Sequence, residues 1–151
     1  MSNSLFQTTV VPIGDPDDAA DTAQIIGKFI PKGGKILVAH VVEKGGGAPD
    51  KASLEQREQF AEDAYNTFVE TLPDGDYSIE FLPLYGRDVA ETIIQGAEEV
   101  DATAIAFVPR GGSRWIKFLT GDVALNLVEN SSIPVISLPH KDAQLETSQH
   151  S

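Results

Sequence analysis

Segments with a strand pattern alternate with segments that have a helical pattern through most of this chain. The first strand-like run covers residues 8–13 and is rich in β-branched side chains, and glycine, proline and aspartate follow it at once. Alternation of this kind favours parallel strands joined by crossover helices, because parallel neighbours cannot be connected by a tight hairpin. The sequence therefore predicts an α/β fold: a Rossmann-like three-layer sandwich with helices on both faces of a parallel sheet.

The pattern predicts one domain, residues 1–139, followed by a disordered polar tail at residues 140–151 that lacks apolar periodicity. The predicted strands are residues 8–13, 35–42, 77–84, 102–108 and 133–138. The predicted helices end near Phe29, Leu72 and Val100, and a last helix covers residues 123–128 with Asp122 as its N-cap.

Composition narrows the classes of function. The formal net charge is −12, from 23 acidic and 11 basic residues, which argues against general nucleic-acid binding because such a surface must supply cations. The acidity fits either ordinary solubility or a protein solvated for concentrated salt, as in a halophile.

Cysteine is absent, no run reaches the roughly eighteen apolar residues of a membrane span, and the start has no basic signal region. We expect a cytoplasmic protein without a membrane partner.

One window departs from this acidity. Residues 102–121 contain no acid, and their only charges are Arg110, Arg114 and Lys117, beside a Gly-rich loop that includes Ser113. Backbone N–H groups of such a loop can bind an anion, although a tight turn with solvated arginines explains the same residues. The sole tryptophan, Trp115, lies in this window and either covers a ligand or packs the loop against the body.

The order of elements resembles the universal stress protein family over about residues 7–139. The likeness rests on the run that starts at Gly86-Arg-Asp88, on Asp101 before an apolar strand, and on Gly111 and Gly121 separated by nine residues. The resemblance implies a five-stranded parallel α/β sheet and, in many members, ATP binding through Gly, two residues, Gly, nine residues, Gly, then Ser or Thr.

Three positions depart from that pattern. Val108 stands at the first glycine and Asp122 at the terminal Ser or Thr, and Gly14 takes the place of an Asp that contacts the adenosine part in ATP-binding relatives. A β-branched side chain hinders close backbone approach, and a carboxylate repels phosphates unless a cation lies between them. The residues that the resemblance places along the cleft are Pro12, Ile13, Val41, Gly111, Gly112, Ser113, Gly121, Asp122 and Val123. The apolar members of this set fit plain core positions equally well.

Other candidate sites are weaker. His40 lies in an apolar strand, which suits a core residue better than a catalytic base. Asp15, Asp17 and Asp18 could gather Mg²⁺, but acids after a strand more often enrich a helix N-terminus, where the helix dipole favours them. No nucleophile-elbow motif and no pair of histidines with metal-ligand spacing occurs.

The sequence thus predicts a regulatory or protective binding module with a degenerate ATP site and no catalytic or metal-binding residues. The alternative is an ATP- or AMP-binding member with a rebuilt phosphate loop, in which Mg²⁺ offsets Asp122. A slow nucleotide hydrolase is a third possibility, but it would need a general base or metal centre that the sequence does not reveal. Because the resemblance implies pairing of the last strand across a two-fold axis, we expect a homodimer through residues Ile133 to Leu138, and an unidentified protein partner.

Overall fold

The computed structural model describes residues 5–43, 53–109 and 121–139. Five strands and four helices alternate along them. In chain order they are β1 (Thr8–Pro12), α1 (Pro16–Ile26), β2 (Gly34–Glu43), α2 (Leu54–Thr71), β3 (Tyr77–Gly86), α3 (Val89–Glu99), β4 (Ala104–Phe107), α4 (Gly121–Asn130) and β5 (Val135–Ser137). The tail that the sequence predicts to be disordered lies outside the described residues.

The strands form one parallel sheet in the order β3-β2-β1-β4-β5, which confirms the predicted α/β architecture. Strands β2 and β3 are added in turn on one side of β1. The connection through α3 then crosses back, and β4 and β5 are added on the other side of β1. This reversal of direction creates a topological switch point between β1 and β4. In open α/β sheets ligands bind outside the carboxyl ends of the strands at such a point.

The helix starts follow from local chemistry. The Asp15 side chain accepts a hydrogen bond from the Asp18 N–H (2.8 Å), and the Asp88 side chain accepts one from the Glu91 N–H (2.9 Å). Ser53 and Gln56 form a reciprocal capping box at the start of α2. Each cap satisfies backbone donors that the first helical turn leaves without partners.

The apolar core has two layers, one on each face of the sheet. On one face α1 and α2 cover strand residues that include Val11, Val38 and Ala106, and Phe68 of α2 is fully buried among them. On the other face α3 and α4 cover Val10, Leu37 and their neighbours. The burial of both faces explains why the strands read as nearly continuous apolar runs.

Several strand and helix ends differ from the sequence prediction by one to three residues, and the largest difference is at the end of α1. Helix α1 ends at Ile26 rather than Phe29, because the N–H groups of Lys28 and Phe29 bond three residues back, to the carbonyls of Ile25 and Ile26, in a tight final turn. Helix α4 begins at Gly121, so Asp122 lies inside its first turn and is not the N-cap. The carboxylate still lies where the helix dipole favours negative charge.

Among the described residues, no helix is both long enough and apolar enough to cross a membrane.

Candidate ligand cleft at the carboxyl edge of the sheet

The cleft expected from the strand order lies where β1 and β4 end side by side. Val10 of β1 pairs with Ile105 of β4, so the residues that follow each strand leave the sheet at the same edge. The Ile13 N–H continues the ladder by donating to the carbonyl of Ala39 on β2 (2.9 Å). Strands β1 and β4 therefore end side by side next to β2, which continues to Glu43.

The structure places some of the predicted cleft residues near this edge. Pro12 ends β1, Ile13 follows it, and Val41 lies two residues before the end of β2; all three are buried. Val123 is half-buried and packs against Phe107 at the end of β4. Ile13 packs in the layer under α1 and α2, whereas Val41 packs in the layer under α3, so the two side chains lie on opposite faces of the sheet as core residues.

The remaining predicted residues divide into two groups. Gly121 starts α4, and Asp122 is exposed in the first turn of that helix. Gly111, Gly112 and Ser113 lie outside the described residues, as do Trp115 and the arginines of the same loop. The geometry of the predicted phosphate loop is therefore not part of the described structure.

Asp18 has a structural role that the sequence analysis did not identify. Its carboxylate is fully buried and accepts the Gly14 N–H (2.7 Å) and the Thr22 hydroxyl (3.3 Å). It therefore holds the turn between β1 and α1 from inside the protein. The available signal was an acid three residues after the N-cap Asp15, since that position in the first helical turn can reach back to the preceding backbone.

This arrangement favours the helix-start interpretation of the acids at residues 15–18 over the metal-binding one. Asp15 caps the helix and Asp18 bonds the turn, so the two carboxylates are used for local structure. No group of three or more histidine, aspartate or glutamate side chains in the described part of the chain is arranged to hold a metal ion.

His40 secures the same turn from the neighbouring strand. Its Nδ1 lies 3.2 Å from the carbonyl oxygen of Ile13, and because a carbonyl can only accept, this nitrogen donates the hydrogen bond. The imidazole is 9% exposed and meets the ring of Phe60 edge-on, with 6.1 Å between ring centroids. Burial lowers the pKa of His40 below its usual 6.5, and hydrogen bonds to the carbonyls of Ile13 and Gly14 oppose that shift. His40 is a buried, hydrogen-bonded core residue.

The lowered pKa of His40 predicts a pH dependence of stability. Above pH 6.5 the imidazole is neutral in both folded and unfolded chains. As the pH falls below that value the unfolded chain takes up the proton first, so the free energy of unfolding should decrease, by at most about 1.4 kcal/mol per pH unit. Urea denaturation at a series of pH values measures this slope. The His40→Asn variant keeps a donor near the Nδ1 position but has no imidazole to titrate, so its free energy of unfolding should fall less steeply below pH 6.5. An unchanged slope would contradict the lowered pKa of His40.

Two grooves lie away from this edge. One, of about 460 Å³, separates α3 from α4 and is lined mainly by polar side chains: Asp88, Ala90, Glu91, Ile94, Gln95, Asn126 and Asn130. The other, of about 240 Å³, lies between α2 and β3. Neither is lined by Pro12, Ile13 or Val41.

A model of one protein family matches residues 5–139, which is most of the chain; its description is "Universal stress protein family". The chain belongs to the universal stress protein family. This finding confirms the resemblance noted in the sequence. A search of curated protein sequences gave no significant match.

Solved universal stress proteins share the fold. A member from Lactobacillus plantarum matches with a TM-score of 0.59 and 19% identity, over 90% of this chain and 99% of that one. A member from Arabidopsis thaliana, solved with AMP bound, matches with a TM-score of 0.57 and 18% identity, over 91% and 94% of the two chains. A member from Archaeoglobus fulgidus in complex with dAMP gives a TM-score of 0.55 and 21% identity, over 89% and 98%. At these identities the likeness establishes the fold.

The three departures from the universal stress protein pattern take definite positions in the structure. Val108, at the first glycine of the pattern, is 1% exposed and packs in the layer beneath α1 and α2. Gly14, at the adenosine-contacting Asp, has its N–H bonded to Asp18. Asp122, at the terminal Ser or Thr, is exposed on α4. The edge therefore has buried apolar side chains and a turn in which the Gly14 N–H is bonded inside the protein.

Proposed function

We propose that this universal stress protein is a non-enzymatic regulatory or protective binding module whose ATP site is degenerate. The supporting observation is the turn after β1. Gly14 supplies no carboxylate for adenosine, and its N–H is already bonded to the buried carboxylate of Asp18. A ligand that used this N–H would have to displace a buried hydrogen bond and leave the Asp18 carboxyl without that donor, which costs free energy. The module works in the cytoplasm on an unidentified protein partner, with no nucleic-acid or membrane ligand.

The alternative is a nucleotide-binding member with a rebuilt site. Solved relatives contain AMP and dAMP, which makes an adenine nucleotide the first ligand to test. Helix α4 begins at Gly121, and the N-terminus of a helix attracts anions through its unpaired N–H groups. Asp122 in the same turn repels phosphates, so this alternative requires Mg²⁺ between the two.

The melting temperature with and without ATP or AMP and Mg²⁺ separates the two. A degenerate site predicts no shift at millimolar nucleotide. Selective binding to the folded protein would stabilise it by about 2.7 kcal/mol at a hundredfold excess over the dissociation constant, which would support the alternative. Phosphate release in the same samples tests for a slow hydrolase.

A pair of variants makes the nucleotide test sharper. Asp122→Ser removes the exposed carboxylate that opposes phosphate and restores the hydroxyl of the family pattern. Asp17→Ser is a matched control, because Asp17 is also an exposed acid in the first turn of a helix. Nucleotide-dependent stabilisation in Asp122→Ser alone would show that a latent phosphate site exists and is blocked by charge. No stabilisation in any of the three proteins supports the degenerate site.

We further propose a homodimer that pairs residues 133–138 with their copy. Strand β5 lies at the end of the described sheet, and its Val135 and Ile136 are half-buried. Leu125 and Val128 of the preceding helix are 53% and 60% exposed, so α4 presents further apolar surface. An unpaired apolar edge strand favours association.

Sedimentation equilibrium at micromolar concentration should give twice the chain mass, and Val128→Lys should weaken the dimer. A monomeric mass in both high and low salt would contradict the proposed dimer.

A further inference from the structure

The groove between α2 and β3 has the chemistry of a site for an organic cation. It has a volume of about 240 Å³ and is lined by Val42, Glu58, Ala61, Glu62, Phe81, Pro83 and Tyr85. The lining thus combines two aromatic rings and a proline with two carboxylates over a small aliphatic floor.

Strand geometry explains why the aromatic side chains share this groove. Phe81, Pro83 and Tyr85 are alternate residues of β3, and alternate residues of a strand lie on one face of the sheet. That face is the one covered by α2. Phe81 stacks on Tyr65 of α2, with ring centroids 4.8 Å apart and 20° between the ring planes. This contact fixes Phe81 as a rigid wall.

Tyr85 bridges the two sides of the groove. Its hydroxyl donates a hydrogen bond to the carboxylate of Glu58, so the ring spans the space between β3 and α2. This bond, together with partial burial and the negative charge of Glu58, raises the pKa of Tyr85 above 10.0. The phenol is neutral near pH 7, as tyrosine ordinarily is, and its hydrogen bond keeps Glu58 at the groove. The ring is 43% exposed and accessible to a ligand.

The two charged residues of the lining, Glu58 and Glu62, are both acids. Glu58 and Glu62 are one helical turn apart on α2, and like charges at that spacing repel each other. Glu80 of β3 does not line the groove, and its carboxylate is paired with the Lys35 ammonium group (3.1 Å). A cation in the groove would relieve the repulsion between the two glutamates and could rest against an aromatic face.

From this combination we propose that the α2–β3 groove binds a small alkylated ammonium ion, with its charge between Glu58 and Glu62 and its alkyl groups against Tyr85 and Phe81. The site is separate from the nucleotide cleft and does not depend on the function proposed above. Val42 lines the groove, whereas its neighbour Val41 faces the layer under α3, because successive side chains of β2 point to opposite faces.

Choline is the probe, and its neutral isostere, in which carbon replaces the quaternary nitrogen, is the matched control ligand. Each ligand is titrated into the full chain at low salt, and the amide chemical shifts are measured by NMR. Choline should change the shifts of residues around the groove until the site is saturated, and the isostere should change them far less. Because exposed cation–π contacts contribute about 0.5–1 kcal/mol, Tyr85→Ala should weaken choline binding about 2- to 5-fold. Tyr85→Phe keeps the ring but releases Glu58, so it should weaken choline binding less than Tyr85→Ala does.

Glu62→Gln tests the electrostatic part, with Glu70→Gln as the control, because Glu70 is an exposed acid near the other end of the same helix. We expect weaker choline binding in Glu62→Gln and no change in Glu70→Gln. Unchanged melting temperatures will show that both proteins are folded. The proposal is overturned if no saturable shift appears, if choline and its isostere bind equally, or if Tyr85→Ala binds like the parent.

Discussion

Replacement of Phe68 by alanine is expected to lower the free energy of unfolding by about 3–5 kcal/mol. Phe68 is the largest fully buried side chain of the described residues and lies in the layer between α2 and the sheet. Its removal loses the transfer free energy of the ring and leaves a cavity, since the neighbouring side chains come from a helix and from strands that cannot collapse freely. Urea denaturation followed by circular dichroism measures the effect.

Val69→Ala is the matched control for this experiment. Val69 is the next residue of α2 but is 39% exposed. Alanine also has the higher helix propensity, so this change should cost little or nothing. If Phe68→Ala and Val69→Ala gave similar free energies of unfolding, the placement of α2 on the sheet would be wrong.

The second large effect is expected at Asp18. Asp18→Ala should lower the free energy of unfolding by about 1–3 kcal/mol, because it leaves the buried Gly14 N–H without its acceptor and also removes the partner of the Thr22 hydroxyl. The same loss should loosen the turn between β1 and α1. Urea denaturation gives the magnitude, and hydrogen exchange of the Gly14 amide should become faster.

Asp17→Ala separates the hydrogen bond from the general effect of an acid near a helix start. Asp17 is exposed and contributes through the helix dipole, a term of about 0.3–1 kcal/mol. Asp18→Ala should therefore be the more destabilising of the two. Equal effects, together with unchanged exchange at Gly14, would mean that the buried carboxylate does not hold the turn.

Local sequence patterns predicted the elements well. All five predicted strands and all four predicted helices are present. These features depend on backbone hydrogen bonds within a few residues and on apolar periodicity along one element, which a sequence displays directly. The errors are at the ends of strands and helices, among them Phe29 and Asp122, where a residue more or less costs little free energy and the sequence signal is correspondingly weak.

The candidate cleft was only partly predictable. The sequence identified Ile13 and Val41 as cleft residues through a family resemblance, and it identified Gly14, Val108 and Asp122 as departures. It did not show that Asp18 bonds Gly14, because the same acid pattern also fits a metal site or a helix start. The environment of each carboxylate, and not its position in the chain, decides between these roles.

The sequence by itself determined the succession of strands and helices, the acidic surface and the loss of the family's usual residues at three cleft positions. Only the tertiary structure decided which side chains meet. His40 bonds Ile13 across 27 positions of the chain, and Tyr85 of β3 meets Glu58 of α2 across the same separation. Contacts of this kind depend on strand order and on the face that each strand presents. Both result from the packing of the whole sheet, because no local segment contains enough buried surface to specify them.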